Sequence, residues 1–581
     1  MLHHAIPPAR NRRRWHRANL SQCAILVTLV SALLFLAACS GVSVPANSSS
    51  STPVALTVSP GTATVASAGT QQFTALVTNT SNTSVTWSAS PGTISSAGFY
   101  QAPTVTASTN AVVTATSVAD STKSGTASVT VTAGSSSPSP TYWGFSESNT
   151  DAESWPLVRY EMRRFWDSPP LQWPFLNTAS GVFDFSNLDV GLALAYSHGA
   201  MEGMYTLART PPWATSDPTD TSCSYPGTEL GGGNGECDPP NDLNSDGTGT
   251  NAIWKAWIIA IATHVNRPGY TATHAHIKYW EIWNEPDNKL FWTGSFAQLA
   301  RLTEDANCII TGRGVIHESG NGTATACTAT AIDPTAQIVM ASAHAKHAAL
   351  VYGQNELYCN NTSGIPSNEL PCPNPPNAIA TAVDIINFHM KPGNETGNNC
   401  PAPSPCTPES AMQWYTSNIQ SILQPAEAAK PLWDGEAQYS ITGFINAYAD
   451  PDMAASFMPR FYLLDWSLGI TGVAWYNPDS DPEPAQAHTS YQQTYNWLVN
   501  ASLVSPCAAI GTVWSCMISE SGTQYLIMWD TSQSCANGVC TTGNQTVASQ
   551  WTQYQDMTTA STPIAISGHV VPVGIKPILL N

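Results

Sequence analysis

At 581 residues the chain exceeds the usual span of one domain and points to two or three. Charged residues make up only 10% against 42% apolar, which excludes a charged disordered tail and a coiled coil. Acidic residues outnumber basic ones 40 to 21, and Arg10, Arg12, Arg13, Arg14 and Arg17 crowd the N-terminus, so the body lacks the clustered cations that nucleic-acid binding requires.

Those arginines precede an apolar run, Cys23 to Ala38, and then small residues, the pattern of an export signal over residues 1–38. The competing reading is an uncleaved anchor, although the run is short for a span of about 20 residues. Leu36-Ala37-Ala38-Cys39 resembles the bacterial lipobox. That resemblance implies lipidation of Cys39 and an exported chain held on a membrane, at the cell surface or in the periplasm, and otherwise secreted. Residues 39–53, with a serine run after Asn47, cannot bury enough apolar surface to fold and read as a tether.

Over residues 54–133 short alternating runs are separated by Gly, Pro, Ser and Asn: Ala55 to Val58, Phe73 to Val77, Val85 to Trp87, Val112 to Thr116 and Ala127 to Val131. Period-two alternation with frequent turns predicts a β-sandwich. Free of cysteine, it resembles the bacterial Ig-like domains that space enzymes and adhesins from cell surfaces. Residues 134–140, Gly-Ser-Ser-Ser-Pro-Ser-Pro, are a second linker.

From 141 to 502 candidate strands alternate with amphipathic segments such as Ile253, Trp254, Trp257, Ile258 and Ile261. The strands are Tyr142 to Phe145, Leu157 to Trp166, Gly203 to Leu207, His276 to Trp283, Ala336 to Ala341, Val383 to Phe388, Pro431 to Asp434 and Gly472 to Trp475. This predicts a (β/α)8 barrel. A doubly wound sheet competes, but no glycine-rich phosphate turn follows any strand. Residues 503–581 return to short strands and read as a small accessory β-sandwich packed on the barrel, with a separate carbohydrate-binding module as the alternative.

Beyond Cys23 and Cys39 the cysteines form near-neighbour pairs: Cys223/Cys237, Cys308/Cys327, Cys359/Cys372, Cys400/Cys406, Cys507/Cys516 and Cys535/Cys540. In an exported chain such pairs predict local disulfides; zinc competes, without a C-x-x-C or a histidine pair at ligand spacing. Asp242-Leu-Asn-Ser-Asp-Gly247 copies half a calcium loop, yet Ile253 stands where the bidentate glutamate belongs, and turn formation explains the same residues.

Two segments carry chemistry. Lys278-Tyr-Trp-Glu-Ile-Trp-Asn-Glu-Pro-Asp287 alternates as a strand and stops at Pro286, which puts Glu285 at the C-terminal edge, the active face of a barrel. Surrounded by Trp280, Trp283 and Trp292, its carboxyl is expected to be desolvated and raised in pKa. Pro431-Leu-Trp-Asp-Gly-Glu436 places a second acid past a later strand, with Asp434 expected to point the same way one layer deeper. Two carboxyls on one barrel face are what glycoside cleavage requires.

Trp-Asn-Glu-Pro and Trp-Asp-Gly-Glu at these positions resemble clan A retaining glycoside hydrolases, and Tyr205-Thr-Leu-Ala-Arg-Thr-Pro-Pro-Trp-Ala214 is most similar to family 39 and its cellulase-like relatives. The resemblance implies Glu285 as acid/base, Glu436 as nucleophile and Asn284 as partner of the sugar 2-hydroxyl. It also implies Arg164 as the arginine holding the nucleophile ionised, His389 at the end of strand six, and Trp475 as a sugar-stacking floor. Where relatives carry a tyrosine after that histidine, this chain has Met390 and Lys391. Trp166, Trp213 and Trp292 are further stacking candidates because they follow strand ends. The expected activity is hydrolysis of a β-linked poly- or oligosaccharide by a monomer without a cofactor; a non-catalytic glycan-binding lipoprotein and a transglycosylase are the competing functions.

Overall fold

The computed structural model describes residues 52–581 apart from 67–69, 104–108, 133–136, 148–158, 167, 224–232, 320, 345–346, 364, 368, 392–406, 438–450, 478–484 and 558–561. The expected export signal, Cys39 and the Cys400/Cys406 pair lie outside the described residues, as do most of the expected tether and part of the expected 134–140 linker.

The N-terminal region is built of small β-sheets. Thr62–Ala66, Ser124–Thr132, Thr109–Ser117 and Val85–Ser90 form one sheet, and Thr70–Gln72, Phe99–Gln101 and Thr93–Ile94 another. Alternation turns Val113, Val129 and Val131 inward, where they share a core with Phe73 and Tyr100. The four strands absent from the expectation are short or rich in Thr and Gln, and so carry little apolar alternation.

The central sheet is a closed parallel barrel. Its strands are Gly144–Glu147, Met162–Phe165, Glu202–Thr206, His276–Glu281, an interrupted fifth (Gln337–Val339 and Ala343–His344), Ile386–His389, Leu432–Ala437 and Ile470–Asn477. Strand eight returns to strand one through Gly144 opposite Ala474. The fifth strand seals the other side, its first half pairing with strand four and its second with strand six.

Met162, Met204, Tyr279, Val339, Trp433 and Ala474, from six different strands, meet Ile385, just before strand six, as an apolar floor. Gly472 makes room for it, since a Cβ there would stand 2.4 Å from the Trp433 ring. Strand side chains repeat direction every second residue, so Arg164, Thr206, Glu281, Asn387 and Tyr476 form the layer above, and that layer is polar. This change from apolar floor to polar mouth is what positions the site.

Around the sheet, helices bury their apolar faces. Phe296–Thr311 begins with a capping box between Ser295 and Gln298 and stops at Gly312, where φ is 70°. The Asp242 loop serves the helix Ala252–Val265: Asp242 Oδ2 accepts the N–H groups of Ala252 at 2.5 Å and Ile253 at 3.3 Å, and Asp246 holds Thr248. The C-terminal antiparallel sheet packs on the barrel's helices. Trp529 Nε1 donates to Glu409 at 2.7 Å, and Arg460 holds both oxygens of the same buried carboxylate at 2.6 and 2.7 Å. Five of the expected disulfides are formed: Cys223–Cys237, Cys308–Cys327, Cys359–Cys372, Cys507–Cys516 and Cys535–Cys540.

Candidate active site

Strand four ends in a tight, strained turn. Trp283 and Glu285 have φ of 82° and 41°, a left-handed conformation that costs a non-glycine residue about 1–2 kcal/mol each. The turn is held from strand five: Asn284 bridges to Ser342, and the Glu285 N–H donates to the Ser342 carbonyl at 3.0 Å. Glu285 is thereby turned into the barrel mouth, 5% exposed.

Arg164 organises the layer beneath. Its guanidinium donates to Glu281 at 2.9 and 3.0 Å, to Glu436 Oε2 at 2.8 Å and to Asn284 Oδ1 at 2.6 Å. Glu281 also takes Asn387 Nδ2 at 2.8 Å and the Thr206 hydroxyl. All five side chains come from inward positions of four strands and the turn after strand four. Asn387 in turn dictates Gly435, where a Cβ would lie 2.4 Å from its amide oxygen. Arg164→Met should destabilise the fold by roughly 3–5 kcal/mol, because it leaves Glu281 buried without its cation. Urea denaturation measures this, and a loss below ~1 kcal/mol would contradict the role assigned to the arginine.

Glu436 reaches the mouth through a bulge. Asp434 pairs with Val473 and Ala437 with Trp475, so strand seven carries one residue more than strand eight between those points. The phase shift corrects the expectation that Asp434 and Glu436 point the same way. Asp434 lies with Val473 and Ala437 on the helix-facing side, near Asp465, and its Oδ1 accepts the Met390 N–H at 2.9 Å. Its Oδ2 and both oxygens of Asp465 lack a partner among the described residues. Burial pushes both carboxyls well above the ordinary carboxylate range, and Asp434 adds to the effect on Asp465.

Glu285 and Glu436 each place an oxygen within 4.8 Å of the other and of a His389 nitrogen. His389 Nδ1 donates to Glu285 Oε1 at 2.8 Å and stands 3.8 Å from Glu436; burial lowers its pKa against the pull of the two carboxylates. His344 Nε2 also meets Glu285 Oε1, at 2.9 Å, while its Nδ1 lies 3.0 Å from Asp287. Lys391 reaches the same oxygen at 3.5 Å and makes a close contact with Glu436 Oε1.

The expected upward shift of Glu285 is reversed. Burial does raise its pKa, but His344 and Lys391 outweigh it and hold the carboxyl well below its usual value. His344 is itself raised to about 10, against burial, by Glu285 and Asp287. Burial likewise opposes ionisation of Glu436, yet Lys391, His389 and Arg164 bring it down to about 2. The Glu285, His389 and Glu436 atoms have the spacing of a cation site, but the Lys391 ammonium already contacts both carboxylates there.

The tryptophans divide. Trp475 is fully buried, stacked on Tyr462 and edge-on to Phe461 of the helix Pro451–Ser467, so it faces the helix layer and is no sugar floor. Its neighbour Tyr476 takes the inward position, with its ring 6.0 Å from Lys391 Nζ. Trp166 packs on Phe291 and Trp292 on Trp283, both buried with little face to offer. Trp213 is half-buried, its Nε1 tied to the Asn177 carbonyl at 2.8 Å, and remains a stacking candidate. Sequence reasoning missed Glu281, Asp287, His344 and Asn387. Period-two alternation through Glu281 could have found the first, whereas His344 follows a break in strand five and carries no such signal.

No family model and no curated protein sequence matches the chain. Among solved structures it is similar to a family 39 glycoside hydrolase from Bacteroides cellulosilyticus, at TM-score 0.46 and 11% identity over 90% of this chain and 98% of that one. It is also similar to a family 44 endoglucanase from Clostridium thermocellum, at TM-score 0.43 and 11% identity over 77% and 97%. A third likeness is a family 5 xyloglucanase from Bacteroides ovatus, at TM-score 0.32 and 10% identity over 76% and 100%.

Proposed function

We propose that the chain is an exported retaining glycoside hydrolase that cleaves β-linked poly- or oligosaccharides, with Glu436 as nucleophile and Glu285 as acid/base. The carrying observation is the carboxylate pair at the barrel mouth, with oxygens within 4.8 Å of each other. Retaining enzymes space their carboxyls at about 5–5.5 Å, whereas inverting ones need roughly 6.5–9.5 Å to admit a water.

The surroundings suit unequal roles. Glu436 is ionised and fixed from behind by Arg164, as an attacking carboxylate must be. Glu285 receives its donors on Oε1, which leaves Oε2 without a partner among the described residues and able to meet a glycosidic oxygen. Asn284 accepts from Arg164 through Oδ1, so its amide nitrogen is left to donate to a sugar hydroxyl. Acting as an acid requires a proton on Glu285, so proton uptake accompanies substrate binding; the later base step uses the ionised form directly. Five disulfides suit an oxidising compartment, and in this reading Cys39 carries the lipid and the Ig-like region stands the barrel off the membrane.

Two inversions at one carbon return the starting configuration. Proton NMR of the first-formed product from a β-glycoside should therefore show the β-anomer, and a 2-deoxy-2-fluoro glycoside with a good leaving group should label Glu436. An α-anomer as first product would overturn the reading.

A further inference from the structure

Both oxygens of Glu436 are covered by cations, and the two covers differ. Arg164 holds Oε2 from within the barrel, fully buried and fixed by Glu281 and Asn284. Among the described residues Oε1 is held by Lys391 alone, and that ammonium simultaneously reaches Glu285 Oε1 at 3.5 Å. The lysine therefore bridges the two carboxylates, between which double displacement needs the anomeric carbon. Its main chain is anchored, the Tyr415 hydroxyl donating to its carbonyl at 3.2 Å, while its side chain keeps 11% exposure on a flexible four-carbon stem. Besides the two glutamates, the ionisable groups around it among the described residues are His344 on the same Glu285 oxygen, His389 and the Tyr476 ring, with Arg164 behind Glu436 and Asp434 on the far side of strand seven.

We propose that Lys391 is a displaceable clamp, a positioning residue that joins Glu285 to Glu436 and that the sugar must push aside before the nucleophile can attack. The proposal rests on the retaining assignment above and extends it with a competitor built into the chain. Expelling the ammonium frees Oε1 for attack and also removes a cation from beside Glu285, which favours the proton that Glu285 needs for its acid step. Binding and arming of the acid are thus one event.

The test uses the full chain with Lys391→Met and Lys391→Ala, each checked for an unchanged thermal transition. On a neutral aryl glycoside Lys391→Met should lower KM several-fold. It should also move the acid limb of the kcat/KM profile upward by about one pH unit or more, since an opposite charge within hydrogen-bond reach depresses a carboxyl by about 1–3 units. In Lys391→Ala, ethylammonium should refill the space and inhibit competitively, with a Ki at least tenfold below that for the wild type. Equal amine sensitivity in both proteins, or a fall in kcat with KM and pH limbs unmoved, would overturn the clamp. Fluoroglycoside labelling of the wild type judges the underlying assignment separately. If labelling fails, carbon-13 titration of the Glu436 carboxyl still decides: a rise in Lys391→Met supports the clamp, and an unchanged titration ends it.

Discussion

Glu436→Ala is expected to lose kcat by about 10⁴-fold or more, the scale on which removing a nucleophile acts, because no glycosyl-enzyme can form. Glu285→Ala behaves differently. With a nitrophenolate leaving group that needs no proton, it should still glycosylate Glu436 and then stall for want of a base. Azide attacks without base help and should restore turnover, releasing a β-glycosyl azide from a β-glycoside. Burst kinetics and product NMR check both variants, and azide rescue confined to Glu436→Ala would mean that the two roles are exchanged.

The second large effect concerns stability. Asp465 is fully buried with neither oxygen partnered among the described residues, and burial beside Asp434 holds its pKa far above the value in an unfolded chain. The folded protein therefore binds a proton that the unfolded chain releases above roughly pH 4. A raised folded pKa gives stability that is complete below the unfolded value and declines as pH rises. One such proton costs the folding equilibrium about a factor of ten per pH unit. Asp465→Asn fills the same space without needing the proton, so its advantage over the wild type should grow between pH 5 and pH 7, by up to about tenfold per unit for as long as the fold retains the proton. Urea midpoints across that range measure it; parallel pH dependences would show that Asp465 is ionised in the fold.

How far the site was legible follows from local geometry. Alternation through Lys278 to Glu281 marked strand four, but the strand ends at Glu281, short of the expected stop at Pro286, because Trp283 and Glu285 turn left-handed. Arg164 and His389 came from the resemblance to clan A enzymes rather than from alternation. The direction of Asp434 was not, since a bulge adds a residue without any mark in composition and reverses the phase. Trp475 failed on the same parity: position 475 faces the helices and 476 the mouth. The charge state of Glu285 was missed because its decisive neighbours, His344 and Lys391, come from strands five and six, and only the closed barrel brings them together. Local β-strands rich in threonine in the N-terminal sheets were illegible because packing, not apolar alternation, defines them.

The interrupted fifth strand has a thermodynamic meaning. It closes the ring by pairing Gln337–Val339 to one side and Ala343–His344 to the other, and the gap between those halves is where Ser342 grips Glu285 and from which His344 reaches it. Arg164, Glu281 and Glu436 are joined across strands two, four and seven and do not depend on that seam. A local opening at strand five would release Glu285 while the ion cluster around Glu436 stays assembled. The interruption of the ring thus lies beside the proposed acid/base, and local opening there would disarm Glu285 before the bulk of the fold gives way.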